Sequence, residues 1–379
     1  MVGATLGCLL AKQGCRVAIV EPYVPAPFSL NDAYGLRVSA ISRASQHALM
    51  QAGAWSFITD LRMTPYEAMC VWDATGHGEI HFSAADIGEP DLGAIIENQV
   101  IQAGLSQAMD SYDNLAFLAP VSVDACHYAE SQIAVELSSG KTVTTALLVG
   151  ADGAYSKVRT LAGIDVQKND YNQKGLVAVV RTEKAHQLTA WQRFMPSGPL
   201  AFLPLNEGKS SIVWTLPADK ADYYLAMSDD AFNVAITAAF DQRLGNVRVV
   251  SQRVAFPLMG QQAEHYIAEG IALVGDAAHT IHPLAGQGVN LGIKDAVALA
   301  EVFVSAKKVD NSPFSLKALR RYERARRGDN VLTQKAMEGF KLLFGNTFIP
   351  LQFARNMGLS AVNKVIPVKN EIMRRAMGL

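Results

Sequence analysis

The residues best suited to chemistry sit in glycine-rich turns. The longest such stretch is Ala272-Leu273-Val274-Gly275-Asp276-Ala277-Ala278-His279, then Pro283, then Gly286-Gln287-Gly288-Val289-Asn290-Leu291-Gly292. An apolar run ends in Gly-Asp, and a loop of small residues leads into a helix. Asp276 can hold a sugar-like hydroxyl. The amides of Gly288 to Asn290 stand at a helix start, where the dipole favours negative charge. A second stretch, Leu148-Val149-Gly150-Ala151-Asp152-Gly153-Ala154-Tyr155-Ser156, ends at Arg159. Its glycines let backbone approach a phosphate, and Asp152 can hold neighbouring amides or a ribose. A third signal is Gly3 with Glu21, 18 positions on. In dinucleotide-binding units the last glycine lets helix pack on strand, and an acidic residue about 20 positions later takes the ribose hydroxyls.

His279 and His282 offer two readings. A histidine can deprotonate a phenol, or it can orient neighbouring groups by hydrogen bonding; the second is favoured. Arg37 alone reads as a surface salt bridge and Gln99 as a solvated helix residue. Trp72, Trp191 and Trp214 line an apolar pocket or simply fill a core.

These residues need elements to hold them. Residues 2–12 read as a helix of small and apolar residues, and 15–20 as a strand. Residues 35–60 read as helical, 66–97 as short strands broken by Gly76 and Gly78, and 98–110 as helical. Strand-like runs fill 115–149, and alternating runs over 166–260 suggest an antiparallel sheet. Ala272 to Val274 restores a buried parallel strand, and the rest is helical. The expected fold is α/β: a Rossmann-like cofactor domain whose first strand would precede Met1, an inserted antiparallel β-sheet domain for the substrate, and a helical C-terminus. The expected boundaries are 1–70, 98–165 and 265–310 for the first domain, 71–97 and 166–264 for the second, and 311–379 for the helices.

Half of the 379 residues are hydrophobic, 18% are charged and the formal net charge is -1. A disordered chain does not have this composition, and no global field draws it to nucleic acid. The four cysteines, Cys8, Cys15, Cys70 and Cys126, form no C-x-x-C pair. Structural metal and a disulfide scaffold are therefore not expected, and a reducing cytoplasm fits. From Phe314 onward thirteen basic residues face four acidic ones, with apolar residues between. Such a tail suits peripheral contact with the inner membrane or with partner proteins, or serves as a helical cap with a solvated basic face.

With its motifs in this order, the chain resembles the class A flavoprotein monooxygenases of the para-hydroxybenzoate hydroxylase type. Among them it is similar to the ubiquinone-biosynthesis hydroxylases, the UbiH/UbiF/VisC family. The carrying stretches are Arg37 to Ser42, Ile96 to Ile101, Gly150 to Ala154 and Val274 to Gly292. The resemblance implies FAD as cofactor and NAD(P)H and molecular oxygen as co-substrates. It implies hydroxylation of a polyprenylated phenol or quinol through a C4a-hydroperoxyflavin, beside other proteins of ubiquinone biosynthesis. It places Gly3 and Glu21 at the adenosine side, Arg37 along the FAD, and Gln99 near the pyrophosphate or ribityl chain. It places Asp152 and Arg159 in a segment shared by FAD and NAD(P)H, Gly275 and Asp276 at the ribityl chain, and Pro283, Gly286, Gly288, Val289 and Asn290 against the flavin ring. The alternatives are a monooxygenase of another aromatic metabolite and a non-catalytic member of a biosynthetic assembly.

Overall fold

The computed structural model describes residues 1–379 except 130–131, 282–287, 310–312, 347 and 379. Helix α1 (Val2–Lys12) leads through a turn at Gly14 into β1 (Val17–Val20). Then come β2 (Val38–Ser42), α2 (Arg43–Gln51), α3 (Trp55–Leu61), β3 (Thr64–Tyr66), β4 (Ala68–Asp73) and β5 (Glu79–Ser83). Strand β6 (Gly93–Glu97) runs straight into α4 (Asn98–Met109), followed by β7 (Leu115–Leu118). A meander of β8 (Val123–Ala129), β9 (Gln132–Leu137) and β10 (Thr142–Thr145) precedes β11 (Leu148–Gly150) and α5 (Lys157–Leu161).

The middle of the chain holds β12 (Val166–Thr182), β13 (Thr189–Phe194), β14 (Leu200–Pro204), β15 (Lys209–Pro217), α6 (Ala218–Ala226), α7 (Asp229–Ala239), β16 (Val247–Val249) and β17 (Val254–Ala263). Next are β18 (Ile267–Ala268), β19 (Ile271–Leu273), β20 (His279–Thr280) and α8 (Gly288–Val309). Helices α9 (Leu316–Gly345), α10 (Ile349–Lys364) and α11 (Ile366–Met377) follow.

A nine-stranded sheet runs β20-β17-β12-β15-β14-β13-β4-β5, with β16 on β12. It is antiparallel throughout except where β13 pairs in parallel with β4. Both faces are covered, so Leu200–Pro204 is a continuous apolar run rather than an alternating one. Leu176, Ala178, Val180, Leu200, Phe202, Ile212 and Trp214 point to a core shared with α6 and α7. Their neighbours Val179, Ala201, Leu203 and Val213 point to the other side, toward β2 and β6.

The remaining strands build smaller sheets. β1 pairs in parallel with β7, and β11 with β19, while β2-β6-β3 is antiparallel. One large core joins α1, α4, α8 and these strands.

The structure corrects three readings. Val38–Ser42, expected to be helical, is a strand, because it finds a ladder partner in β6. The boundary at 70/71 cuts through β4, which pairs with β13 and β5 along its whole length. Residues 93–97, expected with the substrate sheet, pair with β2 and β3 instead. Trp72 and Trp214 are core residues: Trp72 meets Phe240 edge to face at 5.1 Å, and Trp214 packs at 4.5 Å on Tyr224.

Candidate active site

Four chain segments far apart in sequence converge at the start of α1. Small residues make this possible. A Cβ on Gly3 would stand 2.9 Å from Cβ of Ala151, and one on Gly7 would stand 2.7 Å from Ile19 of β1. Helix α1 thus lies directly on the turn after β11 and on β1. Gly275 comes within van der Waals reach of Val2. Its φ of 60° is left-handed, which an L side chain adopts only with strain. Glu21 follows the last residue of β1; its N–H donates to Leu118 and its carboxylate interacts electrostatically with the amino group of Met1. So Gly3 and Glu21 stand at the two ends of one helix–strand unit, with Glu21 close to the start of α1.

The Gly275 turn is held from below by a buried polar network. Asp295 of α8 is fully buried. Its Oδ2 accepts from the Gly275 N–H at 3.0 Å and lies 2.5 Å from His279 Nε2. Its Oδ1 accepts from Arg326 Nε at 2.8 Å and from Asn330 Nδ2 at 3.3 Å. Burial pushes the Asp295 carboxyl up, but His279 and Arg326 together hold it below the usual carboxylate range. His279 is 2% exposed, so it anchors the turn and does not stand where a substrate proton could reach it. His282, Pro283 and Gly286 lie outside the described residues.

Asp276 points the other way. Water reaches its side chain, yet protein surrounds it on most sides. Burial pushes its carboxyl above the usual range, against the pull of His279 and Arg37. Arg37, which makes a cation–π contact with Phe256 at 5.6 Å, is therefore a neighbour of Asp276 rather than a remote surface charge. Asn290, in the first turn of α8, donates from Nδ2 to the Ala40 carbonyl at 2.7 Å and accepts from the Ser42 N–H at 3.0 Å, tying α8 to β2. Val289 packs against the core. Around Gly288 no described atom lies within 4 Å of where a Cβ would stand.

Asp152 is committed locally: its carboxylate accepts from the N–H groups of Lys157 and Val158 at 2.7 and 3.1 Å and from the Ser156 hydroxyl. Arg159 is a buried clamp that donates to the carbonyls of Ala277 and Ala154 at 2.9 and 3.0 Å, and so joins the two glycine turns. Burial lowers its pKa. Gln99 donates to Glu97, which also accepts from the Gly35 N–H at 2.5 Å and from Arg62. It is thus part of a packed cluster below the loop before β2 rather than a solvated residue.

Sequence reasoning missed Gly7, Asp295, Arg326 and Asn330. Asp295 carried a signal, since it interrupts the apolar run Leu291 to Ala300 at core spacing. Arg326 and Asn330 lie in a strongly charged helix and look like solvated residues there.

Residues 122–334 match the model of the FAD binding domain. The chain is 38% identical to 3-demethoxyubiquinol 3-hydroxylase of Escherichia coli, across all of this chain and 96% of that one. It is 35% identical to ubiquinone hydroxylase UbiL of Rhodospirillum rubrum, across all of this chain and 87% of that one. The chain belongs to the FAD-dependent hydroxylases of ubiquinone biosynthesis. It is an FAD-dependent monooxygenase, with NAD(P)H as co-substrate. Its fold matches the crystal structure of p-nitrophenol 4-monooxygenase PnpA from Pseudomonas putida with a TM-score of 0.77, at 17% identity, over 99% of this chain and 95% of that one.

Proposed function

We propose that the converging turns hold FAD beside an aromatic ring and that the substrate is a polyprenylated phenol or quinol of ubiquinone biosynthesis. The observation that carries this is the close packing of Gly3 on Ala151 and of Gly275 and Gly292 on Val2, which brings the three glycine segments together. The residues present fit the group. Glu21 is placed to accept ribose hydroxyls beside the close-packed start of α1, as in a Rossmann-like unit. Asp276, uncomfortable as a bare carboxylate, gains from a hydroxyl donor. Gly288 has no described atom within 4 Å of where a Cβ would stand, and the positive end of the α8 dipole lies at this start. Arg37, just before β2, adds positive charge near Asp276. Bound FAD, reduced by NAD(P)H, supplies the oxygen chemistry. The chain's own contribution is to position the ring, exclude water and offer helix-end charge. Asp152 and Arg159 act in this account by fixing the two turns relative to each other. The hydroxylases of Escherichia coli and Rhodospirillum rubrum named above act, by their names, on ubiquinone-type rings, which supports the substrate class. The supporting experiment is reconstitution of the purified chain with FAD, where stoichiometric binding is expected and none would refute the assignment.

The tail fits a lipid-borne substrate. No helix is long and apolar enough to cross a membrane among the described residues. Yet Phe348, Ile349, Phe353 and Met357 stand 58–77% exposed around the start of α10, next to a tail rich in basic residues. We propose that this face docks on an anionic bilayer. Full-length protein is expected to co-sediment with vesicles containing phosphatidylglycerol at low salt and to release as salt screens the charge. A variant carrying Ile349→Ser, Phe353→Ser, Arg374→Glu and Arg375→Glu should stay in the supernatant. Equal sedimentation of both proteins would make the tail a structural cap only.

A further inference from the structure

The sheet face turned toward β2 and β6 is mostly apolar; Ser211, opposite Val179 and Leu203, is buried there too. Val179, Ala190, Ala201 and Leu203 form it, and Ala40 and Ile95 lie opposite. A small cavity remains between them, and Gln192 is part of its lining together with Tyr66 and Met69. Strand register puts Gln192 there: it pairs with Ala201 on β14 and with Val71 on β4, and alternates with Trp191, which packs on the other face. Gln192 is 5% exposed, and its Oε1 is buried with no hydrogen-bond partner among the described residues. A buried carbonyl without a donor lowers stability, and an apolar side chain of the same shape would not. The cavity also adjoins the cofactor site, since Ala40 in its wall receives the hydrogen bond from Asn290 at the start of α8.

We infer that this cavity receives the aromatic ring of the substrate and that Gln192 Oε1 accepts the hydrogen bond of a ring hydroxyl. The inference rests on the phenol-hydroxylase reading above. Oε1 can only accept, so its partner must be an O–H or N–H donor carried on a body that suits apolar walls, and a phenol joins the two. In its present form the cavity is about 20 Å³, room for about one water. The ring therefore enters by displacing its walls, and Met69, unbranched and adaptable, is the side chain built to yield.

The test uses the FAD-loaded full chain with two probes, 2-geranylphenol and its methyl ether, whose binding is read from the change in the flavin absorption band. The wild type should bind the phenol about tenfold more tightly than the ether, which cannot donate. Gln192→Leu should bind both alike by weakening the phenol about tenfold, while FAD content holds and the ligand-free melting temperature stays level or rises. Retained discrimination in Gln192→Leu would overturn the role of Gln192, as it would if an ordered water alone satisfied Oε1. A melting temperature lowered by several degrees with loss of FAD would overturn it too, by making Gln192 structural. If neither probe perturbs the flavin of the wild type, the phenol reading itself fails.

Discussion

Asp295→Asn is expected to destabilise the protein by about 3–5 kcal/mol and to cost it most of its bound FAD. The carboxylate is fully buried and serves four partners at once: the Gly275 N–H, His279, Arg326 and Asn330. Asparagine keeps the shape but not the charge, so Arg326 is left buried opposite a neutral amide. One of its two acceptor oxygens also becomes a donor aimed at existing donors. The Gly275 turn, which depends on that carboxylate for its amide, then loses its anchor. Urea unfolding with and without FAD checks both parts. The pH dependence has a fixed sign. Asp295 is held below its unfolded value, so its contribution is complete above the unfolded carboxylate pKa of about 4 and is lost as pH falls through the lower folded value. Wild type should therefore lose stability on acidification more steeply than the variant. A change below about 0.5 kcal/mol would mean the network is not what holds the turn.

Asp276→Ala is expected to weaken FAD binding by about 1–3 kcal/mol, roughly ten- to a hundredfold, with no loss of stability in the cofactor-free protein. The two effects separate because the Asp276 carboxyl is raised, by burial first, with His279 and Arg37 opposing. A carboxyl raised in the folded state favours folding below the unfolded pKa and loses that advantage as pH rises through the folded value. At neutral pH the bare carboxylate is a cost that a ligand hydroxyl would relieve. Titration of the cofactor-free protein with FAD, beside a melting curve, checks both. An unchanged affinity would mean that the Gly-Asp turn faces something other than the cofactor.

Much of this site could be read from the sequence because its chemistry is written in local patterns. Gly3 in the first helix, the strands that lead into the turns at Gly150 and Gly275, and the helix starting at Gly288 follow from short-range rules. The sheet domain could be read from its alternation, but its edges could not. Strand β6 looks like one more short strand until its partner is known, and only pairing with Val38–Ser42 places it with the cofactor elements. The same limit hid the Asp295 network. Arg326 and Asn330 belong to a helix most of whose other charges are solvated, and only tertiary packing turns these two inward. The Asp152 motif is open to two readings, neighbouring amides or a ribose, and its carboxylate does hold the amides that start α5. Gln192 gives no signal in the sequence, since a glutamine in a strand is unremarkable until both faces of the sheet prove to be covered.

The most direct test of the central claim is transfer of oxygen itself. The FAD-loaded chain is mixed with NAD(P)H, a prenylated phenol and heavy-isotope dioxygen, and the product is weighed by mass spectrometry. The expected product is a ring hydroxyl carrying the heavy oxygen, formed in step with nicotinamide oxidation. Nicotinamide oxidation that yields only peroxide with every such phenol, or a product whose new oxygen comes from water, would contradict it.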